Sequence, residues 1–339
     1  MNRRGFAFFC LLWLIIPFFY RDSRSALIII TNICNMAVFA MSYDLLLGYT
    51  GIISFGHSMF FGIGAYSMGI FMWKTDHTWF YAVLAVLAAV ILAILISLVV
   101  GALTLRLKRF FLLMLTLVLG EFFLILAERW RSLTNGSDGF TFRIPELIDH
   151  KLIFCYLAVL FLIAVYALLR RFTHSPLGRV LRAIRDNEQR VEALGYNVFY
   201  YKMISNIVAG VVAALAGVMY ALGMKFVHVH GVFGLQVVFD ALVITIVGGV
   251  GTLSGAIVGS GLLEVVRIFL EKLAKVHPIF DRWLLFFGIA YIAIVMFFPR
   301  GIIGTTMLKI REKELKNNRL KMLKEDIDGK GPNQPYGTL

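Results

Sequence analysis

LLLGYTGIISFGHSMFFGIGAYSMGIFMW, residues 45–73, runs for 29 positions without an Asp, Glu, Lys or Arg. A helix needs roughly 20 mostly apolar residues to cross a bilayer. Five further uncharged runs follow the same rule: 78–105 (28 residues), 241–263 (23), 203–224 (22), 25–43 (19) and 152–169 (18). The chain of 339 residues is 60% hydrophobic and only 16% charged, with a mean hydropathy of +0.82. Soluble domains carry about 25% charged residues, so the chain is an integral membrane protein. A spanning barrel would show shorter segments of alternating polarity, and none is present. The fold class is therefore all-α, a polytopic membrane protein.

The hydrophobic pattern predicts about ten spans: 5–20, 26–47, 57–73, 79–105, 110–128, 152–169, 203–224, 236–250, 256–270 and 283–299. The eighth and ninth are short and interrupted by glycine, so the range is eight to ten. With the N-terminus inside, the inner segments are 1–4, 48–56, 106–109, 170–202, 251–255 and 300–339. They hold 21 of the 33 Lys and Arg residues, the outer segments hold 11, and Arg267 lies within the ninth span. Cytoplasmic loops are enriched in Lys and Arg, so this topology puts both termini in the cytoplasm. The same distribution explains the net charge of +13 without nucleic acid as a partner. Residues 1–308 form the membrane domain. Residues 309–339 form a basic cytoplasmic tail, whose part 309–324 suits a short helix on anionic lipid and whose end GKGPNQPYGTL reads as disordered. The first apolar segment has a basic start but no small-x-small cleavage site, which favours an uncleaved span. Cys10, Cys34 and Cys155 sit in apolar runs and read as core residues rather than disulfides or metal ligands.

Two glycine-rich segments interrupt the oily pattern. The first, Gly48-Tyr49-Thr50-Gly51-Ile52-Ile53-Ser54-Phe55-Gly56-His57, is too rich in glycine for a comfortable helix interior. Irregular backbone inside a membrane persists where protein buries it or where it lines a polar cavity. The run is either a tight helix junction or part of a translocation path. His57 reads as a hydrogen-bonded structural residue before a proton relay. The second segment, Gly248-Gly249-Val250-Gly251-Thr252-Leu253-Ser254-Gly255, repeats the spacing of Gly48, Gly51 and Ser54 at Gly248, Gly251 and Ser254. Paired glycine-broken segments in two halves of a transporter can flank a central site. The second run is not a phosphate loop, since no Lys-Ser or Lys-Thr follows it. Glu121 is a carboxylate inside a span, which is expensive and a functional candidate by default; helix pairing is the alternative. Asp44, Asp240, Glu264 and Arg267 also lie in or near spans. His228 and His230 lack further ligands, so no metal is expected. The outer loop 129–151 contains turn residues and balanced charge, suited to an external partner or to a plain connection.

Residues 170–202, RRFTHSPLGRVLRAIRDNEQRVEALGYNVFYYK, form a charged run in the middle of this chain. Ser175-Pro176 is a helix start, with Ser as the cap and Pro at the first position. Leu177, Val180, Leu181 and Ile184 form an apolar stripe beside a basic stripe of Arg179, Arg182 and Arg185. Gly195 is placed to end one helix, or the second of two. An apolar stripe on a cytosolic element is covered by the protein's own helix ends or by a partner, and partner docking is the favoured reading.

Taken as a set, LLLGYTGIISFGHSMFFGIGAY (45–66), RLKRFFLLMLTLVLGE (106–121), TNGSDGF (134–140), SPLGRVLRAIRDNEQRVEALGYNV (175–198) and GGVGTLSGAIVG (248–259) resemble the membrane permeases of branched-chain amino-acid ABC importers, LivM type. The resemblance implies a permease subunit in a bacterial or archaeal cytoplasmic membrane, without enzymatic activity or cofactor of its own. Its implied partners are a second homologous permease, two cytosolic ATP-binding subunits and an extracytoplasmic substrate-binding protein, besides the lipid. Loop 170–202 is then the segment that docks on the ATPase, with Leu177, Arg179, Arg182, Arg185, Glu188, Glu192 and Gly195 as its coupling residues. Glu192-Ala193-Leu194-Gly195 resembles, in shortened form, the Glu-Ala-Ala…Gly signature of importer permeases. The path candidates are Gly48, Gly51, Ser54, Gly56, His57, Glu121, Gly248, Gly251 and Ser254. A related permease for urea, short amides or another small polar solute is the alternative. A stand-alone channel or ion-coupled carrier would need another purpose for the loop. A membrane enzyme would need a convergent acid–base or metal-ligand set, which the sequence lacks.

Overall fold

The computed structural model describes residues 13–75, 78–107 and 109–274, with scattered positions between 285 and 305. Its long elements are α1 (Arg24–Asp44), α2 (Ser58–Lys74), α3 (Trp79–Thr104), α4 (Arg109–Arg129), α5 (Lys151–His174), α6 (Pro176–Asp186), α7 (Glu188–Ala193), α8 (Val198–Met224), α9 (Val229–Phe233), α10 (Leu235–Gly248) and α11 (Leu253–Ala274). Among the described residues seven helical stretches are long and apolar enough to cross a membrane. These are Arg24–Thr50, Trp79–Thr104, Phe110–Arg129, Lys151–His174, Val198–Met224, Val229–Gly248 and Leu253–Leu270. Helix α2, with 17 residues, spans about 26 Å at 1.5 Å per residue. Of the expected first span residues 13–20 are described, 13–19 as helix. The expected tenth span lies mostly outside the described residues, and the basic tail entirely so.

Helix α1 is the axis of the bundle. From Ala37 to Asp44 every residue is buried, the pattern of a helix surrounded on all sides. It packs against α5, α8, α10 and α11. Helices α2 and α8 cross at backbone distance because small residues sit at the crossing. A Cβ on Gly64 would strike the Ala214 carbonyl oxygen, and one on Gly217 would strike that of Phe61. Close approach through small residues is how helices associate where hydrophobic burial offers no net gain over lipid. Helix α3 shows the same device as a stripe. Ala85, Ala89 and Ala93 are fully buried, while Val83, Leu87, Ile91 and Leu95 are exposed on its apolar outer face. Asn206 on α8 donates to the Ser97 carbonyl at 3.0 Å, fixing the register of α3 against α8.

The connections gather at two ends. At one end the segments around 48–56, 185 and 251 touch one another. At the other, Lys74 Nζ donates to the Ser132 carbonyl at 3.1 Å and His230 Nε2 lies 3.0 Å from Glu128. There the two-residue strands β1 (Phe140–Thr141) and β2 (Phe226–Val227) also pair antiparallel, and Lys225 pairs with Asp149. These two groups of segments are the two that the Lys/Arg distribution separates.

Candidate functional site at the glycine junction

Helix α1 does not stop at Asp44. It widens into a π-helical stretch, Leu45–Thr50, in which Thr50 Oγ1 donates to the Leu45 carbonyl at 3.0 Å. Such wide turns recur at functional sites in helices. Gly51 then turns the chain at φ +76°, a left-handed conformation that side chains with a Cβ resist. The chain returns without helical structure through 51–54 to reach α2. Its backbone is only sparsely paired: Ile52 N–H donates to the Leu46 carbonyl at 2.9 Å and Phe55 N–H to Thr116 Oγ1 at 3.2 Å. Gly56 lies against the Thr116 carbonyl and Gly120 of α4, with no room for a Cβ. Irregular backbone therefore lies at the depth of the middle of α4, beneath Ile53, which is 40% exposed.

The second glycine segment meets the first directly. Helix α10 ends at Gly248, packed on the Gly255 carbonyl, and the chain turns through Gly249 and Gly251, both at positive φ. Gly251 N–H donates to Asp44 Oδ1 at 2.7 Å. Gly48 lies flat on Gly251: a Cβ there would stand 2.6 Å from the Gly251 Cα. Asp44 is fully buried, and a buried carboxylate is held there by charge-assisted partners or pays a large desolvation penalty. The Arg185 guanidinium lies within electrostatic reach of it. Arg185 Nη1 also donates to the Gly48 carbonyl, its Cγ occupies the space beside Gly51, and its Nη1 flanks Gly251. One side chain of α6 thus holds both glycine turns. The serines of the repeat behave differently: Ser54 is buried and Ser254 half-buried in the first turn of α11.

His57 stands beside the junction in a closed cage. Its ring stacks on Phe39 at 5.5 Å and meets Tyr43 and Phe60 edge-on. Ser42 Oγ gives its hydrogen to the Phe39 carbonyl at 2.6 Å and lies 2.9 Å from His57 Nε2. Nε2 is therefore the donor to Ser42, and buried Nδ1 has no partner among the described residues. The cage fixes α2 on α1 and leaves the imidazole no route to solvent. Glu121 follows Gly120 on α4, half-buried, and makes no ion pair or hydrogen bond among the described residues. It sits next to the glycine contact rather than in it.

The connection 170–202 folds as two helices, α6 and α7. Ser175 caps α6 by accepting from Gly178 N–H at 3.3 Å, with Pro176 at the first position. Asn187 caps α7 by accepting from Arg190 N–H at 3.0 Å. Leu181, Ile184, Val191 and Val198 form a small core of their own, with Leu177 and Val180 packed on it. The apolar stripe is thus covered by the chain itself, so it does not by itself require a partner. Arg182 ties α6 to the end of α5 by donating to the Thr173 carbonyl at 3.1 Å. Glu188 accepts from Lys202 of α8 at 2.5 Å. Arg179 and Glu192 face outward. Gly195 closes α7 at φ +86°, with its N–H on the Glu192 carbonyl and the Tyr196 N–H on the Val191 carbonyl, the paired bonds of a Schellman ending. Beside it Leu194, Tyr196 and Tyr200 are exposed at 71, 44 and 60%. Sequence reasoning named Leu194 only as part of a signature, passed over Tyr196 and Tyr200, and gave Asp44 little weight. The signal for Asp44 was its place as a lone charge between uncharged runs of 19 and 29 residues.

A family model described as "Branched-chain amino acid transport system / permease component" matches residues 25–297. The chain is 24% identical over 310 residues to the "Probable branched-chain amino acid transport permease protein LivM" of Methanocaldococcus jannaschii, covering 78% of this chain and 89% of that protein. It is 23% identical over 335 residues to the "High-affinity branched-chain amino acid transport system permease protein LivM" of Escherichia coli, with coverages of 89% and 76%. The corresponding LivH protein of Salmonella typhimurium is 22% identical over 287 residues, covering 79% of this chain and 91% of its own. No solved structure matches.

Proposed function

This chain belongs to the permease-component family of branched-chain amino-acid transport systems, and from that premise we propose that it forms part of the path of an ATP-driven importer for branched-chain amino acids. It is a multi-pass membrane protein. The end that carries α6, α7 and the glycine junction faces the cytoplasm in this reading, as the Lys/Arg distribution supports. Both termini lie on that side. A second related permease completes the path, two separate ATP-binding subunits supply the energy, and an extracytoplasmic binding protein delivers the substrate.

The observation that carries the reading is Arg185. It stands on the helix suited to meet an ATPase and holds the carbonyl of Gly48 at the end of the first long span. The face for the ATPase is the rim of Leu194, Tyr196 and Tyr200 with Arg179 and Glu192. Tyr and Arg side chains of this kind are typical anchors for a partner. Closure of the ATPase pair on ATP moves α6 and α7 as a unit, because their shared core holds them together, and the Lys202–Glu188 pair carries the start of α8 with them. Arg185 passes that movement to Gly48 and Gly251, the contact that closes the cytoplasmic end of the path. Coupling requires that ATP and substrate favour different states of this contact. No covalent step on the substrate is needed.

The test is purification through a tag on this chain from its own membranes. Co-isolation of a second permease and two ATP-binding subunits, lost on Leu194→Asp, is the expected result. A chain that purifies alone and passes leucine down a gradient without ATP refutes the importer reading in favour of a channel or carrier.

A further inference from the structure

Helices α1, α10 and α11 line a half-open cavity of about 300 Å³ away from the glycine junction, the size at which small-molecule sites begin. Its position follows from the helix registers. Asn32 lies eight residues beyond the start of α1 and Asp240 five residues beyond the start of α10, about 12 and 8 Å in from the end opposite α6. Glu264 and Arg267 reach the same level from α11. Gln236 Nε2 donates to Asp240 Oδ1 at 3.2 Å, and Arg267 lies within electrostatic reach of Asp240.

The cavity is graded along its depth. Its charged groups stand toward the end opposite α6. One helical turn below Asn32 and Asp240 its walls become Met36 and Ile244. Beneath them the helices close: Thr245 Oγ1 donates to the Ala40 carbonyl at 3.3 Å, and Gly259 packs on the Ile244 carbonyl with no room for a Cβ. The glycine junction follows one to two turns further on. Charges of both signs are expensive inside a membrane and mark substrate or ion routes. A neutral solute such as urea would gain little from them. A zwitterion with an apolar branch has what the charged and the apolar levels offer.

We propose that this cavity is a way-station for a zwitterionic amino acid, its carboxylate on Arg267, its ammonium on Asp240 and Glu264, and its branched side chain between Met36 and Ile244. The proposal rests on the importer reading and adds the site at which the solute waits above the closed junction.

The test uses the tagged complex with Cys10, Cys34 and Cys155 replaced by Ala and Met36→Cys introduced. Labelling of this cysteine by N-ethylmaleimide is followed by mass spectrometry. L-Leucine slows labelling at least threefold, leucinol and urea do not, and Arg267→Gln removes the protection. Labelling that leucine leaves unchanged, protection that survives Arg267→Gln, or equal protection by leucinol or urea overturns the site. Uptake of labelled leucine by the unsubstituted complex is measured alongside. Its absence removes the importer premise and the proposal with it. Uptake with an unprotected cysteine removes the site alone.

Discussion

Gly48→Ala puts one methyl group where the structure has none to spare. The added Cβ would stand 2.6 Å from the Gly251 Cα and closer still to Asp44 Oδ1 and the Gly251 nitrogen. Ordinary contact needs 3.4 Å or more, so the second glycine turn must retreat by nearly an ångström. Overpacking of this kind costs about 1–3 kcal/mol. The retreat also stretches the 2.7 Å bond from Gly251 N–H to Asp44, and a hydrogen bond to a charged group contributes about 1.5–3 kcal/mol. Partial relaxation of both brings the sum to roughly 2–5 kcal/mol. Gly195→Ala is the control. Nothing lies within 4 Å of its Cβ position, so only the positive φ is strained, at about 1 kcal/mol. At a slope of about 2 °C per kcal/mol for large domains, Gly48→Ala lowers the melting temperature of the purified protein by about 4–10 °C and Gly195→Ala by about 2 °C. Scanning fluorimetry of both variants in one detergent decides the comparison. Equal melting temperatures would show that the contact between the two glycine turns is not tightly packed, and the account of the junction would fail with it.

The other predictions concern coupling and the roles of single side chains. Arg185→Met keeps the complex assembled and ATP hydrolysis within about twofold while leucine uptake falls at least tenfold, read in parallel on the same proteoliposomes; coupled uptake at the normal ratio would remove Arg185 from the transmission. Arg179→Glu and Gly195→Pro lower the amount of ATPase that co-purifies without lowering the amount of permease in the membrane; Gly195→Pro acts because proline fixes φ near −65° where the chain needs +86°. Glu121→Gln, at a carboxylate with no partner among the described residues, leaves thermal stability within about 0.5 kcal/mol and alters uptake; a large loss of folded protein would show that Glu121 supports the helix packing. His57→Ala empties an aromatic cage and costs about 3–5 kcal/mol, seen as a lower melting temperature, with little change in the pH profile of uptake by whatever protein survives.

What the sequence shows of the fold is what lipid dictates. Runs such as 78–105 and 203–224 announce their helices because a bilayer admits little else, and Lys and Arg separate the connections into the two groups that meet at opposite ends. The cap at Ser175 and the ending at Gly195 were equally plain, since short-range backbone chemistry decides them. The site was only half legible. The spacing of Gly48 and Gly51 against Gly248 and Gly251 hinted at a pair, but their contact depends on Asp44, more than 200 residues from Gly251, accepting its N–H. The apolar stripe at Leu181 and Ile184 pointed outward to a partner because Val191 and Val198, which cover it, belong to two further helices, α7 and the start of α8, whose packing on α6 no local pattern reveals. His57 and Glu121 look alike as lone intramembrane polar residues. Only three-dimensional packing separates a ring held between Phe39, Tyr43 and Phe60 from a carboxylate beside the glycine contact.

The most direct test of the central claim is labelled leucine uptake into proteoliposomes that hold this chain with its permease, ATPase and binding-protein partners. The account predicts uptake that requires both ATP and the binding protein and that valine and isoleucine inhibit while urea does not. Leucine flux without ATP would contradict it, and uptake inhibited by urea alone would assign the path to a different solute.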